Sequence, residues 1–224
     1  MDEIRKDIYR GKKNNILMAY KQTKGRGRRN NRWTSSLGNL FISIKLNTYN
    51  KSKGYILNYI TAIVVYDTIS YYLNENDNII IKWPNDILIN NRKIAGILIE
   101  SVSKGKKIID FNLGIGINLK FAPENIKCKT TSLMNEGVNK ISRKIILTKI
   151  ISLFNYWERV LKDNNSKFII DCWMKRSIPL NSEIRVRENN KIFTGIYKGI
   201  DLDGSIKVMS NNKIGKFHSL EIIE

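Results

Sequence analysis

The stretch Lys24-Gly25-Arg26-Gly27-Arg28-Arg29-Asn30-Asn31-Arg32-Trp33 places five cations, two glycines and a tryptophan within ten residues. No core strand or helix can absorb it, because an unpaired charge taken out of water is strongly destabilising. Whatever the chain folds into must therefore be built on either side of a basic loop that lies in solvent or against an anion. Arginine forks grip phosphate oxygens in pairs, and glycine lets backbone approach a guest closely, so a small polyanion suits the segment. A hydrated loop with no ligand is the competing reading.

Around this loop the hydrophobic pattern alternates between the two regular periods. Residues 2–10 put Ile4 and Ile8 on one helical face and end at Gly11, which suits a helix C-cap. Residues 16–20 form a short apolar run that reads as a strand delivering Gln22 and the loop. Residues 39–46 alternate Leu40, Ile42, Ile44 and Leu46 as a strand does. Residues 55–73 carry a broad helical stripe of Ile56, Tyr59, Ile60, Ile63, Val64 and Tyr71. Strands are predicted at 79–83, 87–89, 94–102 and 108–119, with hairpin turns at Asn90-Asn91 and Lys104-Gly105. Gly114 and Gly116 interrupt the last of these at a two-residue interval and so open one face to close approach. Lys93 follows Asp86 across the Asn90-Asn91 turn, which lets both face one pocket from neighbouring strands. Residues 121–139 have little periodicity, and a connection of that length points to function.

Residues 141–161 and 167–176 are helical by pattern, and beyond Pro179 the texture changes to short strands at 183–188, 191–197, 205–209 and 213–217. The expected fold class is therefore α+β: a mixed or antiparallel sheet flanked by helices in residues 1–177, and a small β-barrel in residues 178–224.

Charge and composition narrow the function classes. The net charge of +19 invites a nucleic-acid reading, but the chain is rich in Ile, Lys and Asn, all encoded by A/T-rich codons, so the surplus lysine has a compositional source. With one histidine, His218, a His-based zinc site or a Ser/His/Asp triad is not expected. Cys128 and Cys172 have neither metal-ligand spacing nor disulfide density. No apolar run is long enough to span a bilayer and the N-terminus has no signal-like apolar segment, so a cytoplasmic protein with no membrane partner is expected.

Four segments carry more specific information when read in order: Gln22-Thr23-Lys24-Gly25-Arg26-Gly27-Arg28-Arg29, Lys82-Trp83-Pro84-Asn85-Asp86, Lys93-Ile94-Ala95-Gly96-Ile97-Leu98 and Gly114-Ile115-Gly116-Ile117-Asn118. Together they closely resemble the biotin protein ligases, enzymes that biotinylate acetyl-CoA carboxylase, over residue 2 to the C-terminus. The resemblance implies ATP, Mg²⁺ and biotin as small-molecule partners, with Mg²⁺ accompanying ATP and no dedicated protein cage. It implies a biotinyl-5′-AMP intermediate and a biotin carboxyl carrier protein as acceptor, and it leaves a homodimer open. Biotin contacts are implied at Gln22, Gly25, Arg26, Gly27, Arg28, Lys93, Gly96, Gly114 and Gly116. Adenylate contacts are implied at Arg28, Arg29, Arg32, Trp33, Asn85, Lys93 and Asn118. Arg28, Asp86 and Lys93 are the implied catalytic residues, with Asp86 orienting or deprotonating the incoming amine. The family's C-terminal appendage is an SH3-like barrel, matching the small barrel read from residues 178–224.

Several positions depart from the family pattern. Its Ser-Thr-Asn segment upstream of the basic loop is absent, so the chain is expected to begin inside the helix that follows that segment. Asn30 stands where glycine is usual, and asparagine tolerates the left-handed bend such a glycine would make. Leu220 replaces a glycine that commonly precedes an acidic residue. No winged-helix segment precedes the loop, so no sequence-specific DNA binding is expected. The competing functions are a lipoate ligase, which shares the fold, and a basic RNA-binding module, whose aromatics would interleave with cations on an exposed sheet face.

Overall fold

The computed structural model describes residues 1–6, 15–46, 54–104, 107–124, 128–163, 165–189 and 191–223. Six strands form the main sheet: β1 (Asn15–Ala19), β2 (Leu40–Leu46), β3 (Ile79–Lys82), β4 (Asp86–Ile89), β5 (Arg92–Lys104) and β6 (Lys107–Ile117). Their order is β1-β2-β6-β5-β4-β3 and every neighbouring pair is antiparallel. The sheet is thus antiparallel rather than mixed. Alternation decides its two faces. Leu40, Ile42, Ile44 and Leu46 of β2 and Phe111, Leu113, Ile115 and Ile117 of β6 point into the core, while Gly114 and Gly116 lie on the opposite face.

Helix α1 (Gly54–Ser70) crosses the core face and packs against α2 (Arg143–Asp163) and α3 (Ser166–Met174) as well as the sheet. Covered on several sides, it buries Leu57, Ala62 and Val65 in addition to the predicted stripe. Tyr71, assigned to that stripe from periodicity, lies beyond the helix end and is 70% exposed. Tyr59 joins the layers through its edge-on contact with Trp173 and the hydrogen bond from its hydroxyl to the Gly204 carbonyl, 2.7 Å. Burying aliphatic side chains as Ile60 and Ile63 are buried contributes roughly 1.5–3 kcal/mol each.

A second antiparallel sheet contains β7 (Glu183–Glu188), β8 (Lys191–Ile200), β9 (Ile206–Ser210), β10 (Lys213–Phe217) and β11 (Glu221–Ile223), in the order β10-β9-β8-β7-β11. This is the small C-terminal β unit, and β11 was not foreseen because three residues carry no readable period.

Two other expectations change. The N-terminus makes a 3-10 turn at Glu3–Arg5, and the predicted capping site Gly11 lies outside the described residues, as does the Gly105 turn position. Strand β2 is buried along its whole length, although alternation predicts one covered face. The reason is the N-terminal turn, which lies against β1 and β2 with Ile4 fully buried. Asn90 and Asn91 do form the predicted tight hairpin, with φ of 50° and 60°, the left-handed values a two-residue turn of this kind requires. No helix among the described residues is long and apolar enough to cross a membrane.

Candidate active site

The face opposite the helices carries the candidate site, and strand register sets its layout. Cross-strand partners form rows on that face: Phe41, Gly116, Gly96 and Asp86, then Ser43, Gly114 and Leu98, then Lys45, Asn112 and Glu100. The absence of side chains at Gly96, Gly114 and Gly116 leaves a trough between flanking residues. Above it lies a cavity of about 500 Å³ bounded by the basic loop, the Trp83-Pro84-Asn85-Asp86 turn and the start of β11. Of the residues singled out from sequence, Gln22, Arg26, Gly27, Arg28, Arg29, Arg32, Trp33, Asn85, Asp86, Lys93, Gly96, Gly114, Gly116 and Asn118 line it, and Gly25 does not. A side chain at Gly25 would stand 2.5 Å from the Trp33 carbonyl, so its glycine serves loop closure.

The basic loop is a small closed unit. Trp33 donates its N–H to the Gly25 carbonyl at 3.0 Å, Gly27 to Asn31 at 2.7 Å, and Arg26 bridges Arg32. The left-handed residue in its turn is Arg29, at φ 52° and ψ 40°, not Asn30 as the family comparison suggested. That conformation is unfavourable for a residue with a Cβ, roughly 1–2 kcal/mol. It aims the Arg29 guanidinium at Ser219, whose hydroxyl oxygen accepts a 2.8 Å hydrogen bond and ties the loop to the second sheet. At the other end Trp33 lies on the trough. A Cβ added at Gly96 would meet its ring at 2.7 Å, and one at Gly116 at 2.6 Å. The glycine gap that was expected to stand open is therefore filled by the protein's own indole, while Met1 Sδ covers Gly114.

The cations differ sharply in availability. Arg26, an implied biotin contact, is not free to grip an anion: its guanidinium is engaged twice, by Glu100 at 2.8 and 3.0 Å and by Asp2 at 2.7 and 2.9 Å. Hydrogen bonds from Arg26 hold both carboxyls below their ordinary range. Arg28, by contrast, makes no salt bridge with a described residue. Burial, with Arg29 beside it, pushes its guanidinium below the ordinary arginine value, while Asp86 acts in the opposite sense. A half-buried cation short of counter-charge gains strongly from an anionic ligand.

Lys93 Nζ lies 2.8 Å from Asp86 Oδ1, in an ion pair not aligned as a hydrogen bond, and 5.4 Å from the centre of the Trp33 ring. A β-bulge produces this geometry. Asp86 pairs with Gly96 and Ile87 with Ala95, but Leu88 pairs with Lys93, leaving Ile94 as an extra residue. Ile94 and Ala95 both turn into the core as a result, and Lys93 is re-aimed toward the cavity. The adjacent turn is rigid: Asn85 Nδ2 donates to the Ile97 carbonyl at 2.7 Å, and Ile97 N–H donates to the Asn85 carbonyl at 2.9 Å. Asn85 keeps its side-chain oxygen for another partner.

Asn118 stands at the end of β6, almost fully buried, and its Nδ2 donates to the Thr131 carbonyl at 3.0 Å. Its Oδ1 faces Asn39 Nδ2 at 3.4 Å, and Asn39 Oδ1 accepts from the N–H groups of Leu119, Lys120 and Phe121. The aperiodic stretch at 128–131 then pairs alongside Lys93, with Lys93 N–H donating to Lys129 and Thr131 N–H to Lys93, both at 2.9 Å. Asn39, Thr131, Glu100 and the β11 residues Glu221 and Ile222 were missed from sequence. Isolated Asn, Thr and Glu residues have no period, and only their long-range partners mark them.

Residues 5–118 match the biotin/lipoate A/B protein ligase family, which covers half of the chain. The biotin--[acetyl-CoA-carboxylase] ligase of Paracoccus denitrificans is 29% identical over 196 residues, spanning 85% of this chain and 82% of that protein. The bifunctional ligase/repressor BirA of Bacillus subtilis is 31% identical over 213 residues, 92% of this chain but 65% of its own length. The structure of the Aquifex aeolicus biotin protein ligase in complex with biotin and ATP superposes with a TM-score of 0.76 at 26% identity, covering 93% of this chain and 89% of that one. Sequence and fold agree that the chain belongs to the biotin/lipoate A/B protein ligase family.

Proposed function

We propose that the chain is an ATP-dependent biotin protein ligase that forms biotinyl-5′-AMP and passes the biotinyl group to a lysine of the carboxyl carrier protein of acetyl-CoA carboxylase. The observation that carries this reading is the glycine trough roofed by a basic loop, with under-compensated Arg28 and the Asp86–Lys93 pair at one end of the same cavity. An apolar ring fits the trough once the Trp33 indole shifts, and two anions can be joined only beside cations.

In the first step a biotin carboxylate oxygen attacks the α-phosphorus of ATP, forming a C–O–P linkage while the bond to the bridging oxygen breaks and pyrophosphate leaves. Arg28 and Lys93 offset the charge that accumulates on the phosphoryl oxygens, which is electrostatic catalysis by positioned cations. Recruiting Lys93 to the carboxylate loosens its hold on Asp86. In the second step the acceptor amine attacks the acyl carbon, the C–O bond to phosphate breaks and AMP leaves. The Asp86 carboxylate receives or orients the amine proton. Mg²⁺ binds mostly through substrate phosphates with one or two protein oxygens, and the Asn85 side-chain oxygen is the donor that would fit that pattern. When bound it screens phosphate charge. The reaction is assigned to the cytoplasm.

Biotin-dependent exchange of labelled pyrophosphate into ATP, followed by transfer of labelled biotin to a carrier domain, tests the proposal. Activity with lipoate and none with biotin would replace it with the lipoate branch of the family.

A further inference from the structure

Resting on the biotin reading, we propose that the Asn112 carboxamide recognises the cyclic urea of the biotin ring, at the end of the glycine trough that Met1 covers. Asn112 lies on β6 two residues from Gly114 and shares its face, paired across the sheet with Lys45 on one side and Glu100 on the other. Strand geometry puts it roughly 6–7 Å beyond Gly114 along the trough.

Its environment is unusual. Asn112 is 0% exposed, and among the described residues neither its Oδ1 nor its Nδ2 has a hydrogen-bond partner. Buried side-chain amides are nearly always bonded, and each one that is not calls for an explanation such as a ligand. The flanking charges do not supply partners, because Glu100 is held by Arg26 and Arg5, and Lys45 faces Asp110 at 3.6 Å. The amide is thus left uncommitted between two satisfied groups.

Between it and the cavity on this face lies Gly114, and Met1, which lines the cavity, covers that glycine. Met1 Sδ sits 2.6 Å from where a Gly114 Cβ would be, and methionine is unbranched with three rotatable bonds. Its displacement would open the trough from Gly116 past Gly114 toward Asn112. A cyclic urea presents an N–H beside a C=O, and a primary carboxamide offers an acceptor and a donor in the matching order, so two parallel hydrogen bonds can form. A purely apolar end could not discriminate a urea from a ring that lacks it.

Calorimetric titration of biotin, and of the imino analogue in which the ring carbonyl oxygen is replaced by NH, tests this on the full chain. The protein is expected to prefer biotin, and Asn112→Leu is expected to weaken biotin roughly ten- to a hundredfold while the preference between the two ligands collapses. Without ligand, Asn112→Leu should melt at the same or a higher temperature, since it removes two unpaired buried polar atoms. A structural amide would move that temperature down. Asn112→Ala provides a second variant should leucine overfill the site. Unchanged affinity and preference in both variants, or a lowered melting temperature in both, overturns the proposal and leaves the ligase reading intact. Failure of the unsubstituted protein to bind either ligand overturns both.

Discussion

The Lys93 ammonium reaches the Asp86 carboxylate at 2.8 Å because one extra residue, Ile94, bulges out of β5. Without the bulge the odd spacing between Lys93 and Gly96 would send the lysine to the opposite face of the sheet. The charge pair of the candidate site and the core packing are thus set by the same backbone irregularity, which buries Ile94 and Ala95 consecutively.

The pair should divide the reaction into separable halves. Lys93→Ala is expected to slow pyrophosphate release, because the cation beside the transferring phosphate is gone. Asp86→Asn should leave that step near normal and slow transfer to the acceptor by roughly 10²–10⁴-fold, the usual range for a positioned acid or base. Single-turnover measurements of the two steps check this, and equal losses in both steps for both variants would contradict the division.

Arg28 is a half-buried loop cation with no salt bridge to a described residue, so its removal should be felt by the adenylate. Arg28→Gly is expected to let the activated intermediate escape faster and to raise indiscriminate lysine labelling. Retention of labelled adenylate on a desalting column, compared with the unsubstituted protein, is the readout. Equal retention would remove the assignment.

Trp33 and the trough glycines can be tested without any ligand. A methyl at Gly116 would stand 2.6 Å from the Trp33 ring, whereas one at Gly27 finds its nearest neighbour at 3.6 Å. Gly116→Ala should therefore expel the indole and shift its emission to the red, while Gly27→Ala should leave emission unchanged. Biotin binding should also shift it, since ring and indole compete for the same surface.

Acid should release the loop. Asp2 and Glu100 have carboxyls held below their ordinary values, chiefly by hydrogen bonds from Arg26. Groups depressed in the folded state stabilise it fully above their unfolded values, about 4, and lose that contribution as pH falls through the folded values. Quenching of Trp33 should therefore rise below about pH 4 in the native chain. In Glu100→Gln it should be raised already at neutral pH. Superimposable acid profiles for the two proteins would show that the anchor does not hold the loop.

Much of the architecture was readable from local pattern. The Asn90-Asn91 turn, the helix over most of residues 55–73 and the strands at 183–188 and 213–217 follow from side-chain period and turn chemistry, which act over a few residues. The site motifs were legible for the same reason, as short runs whose residue types suit phosphate and a flat ring. The partners each side chain would choose were not. Arg26 looked like a free fork until Glu100, 74 residues away, and Asp2 were folded against it. Gly116 looked like open space until Trp33 was laid across it.

By itself, the sequence determined that a basic loop must stand outside a glycine-interrupted sheet, because charge and backbone preference are properties of the chain wherever it lies. Only the tertiary structure decided which cations remain available, how the Ile94 bulge turns Lys93 inward, and that Asn112 ends buried beside the trough without a partner among the described residues. Those outcomes depend on register and long-range packing, where a shift of one residue exchanges the two faces of a strand.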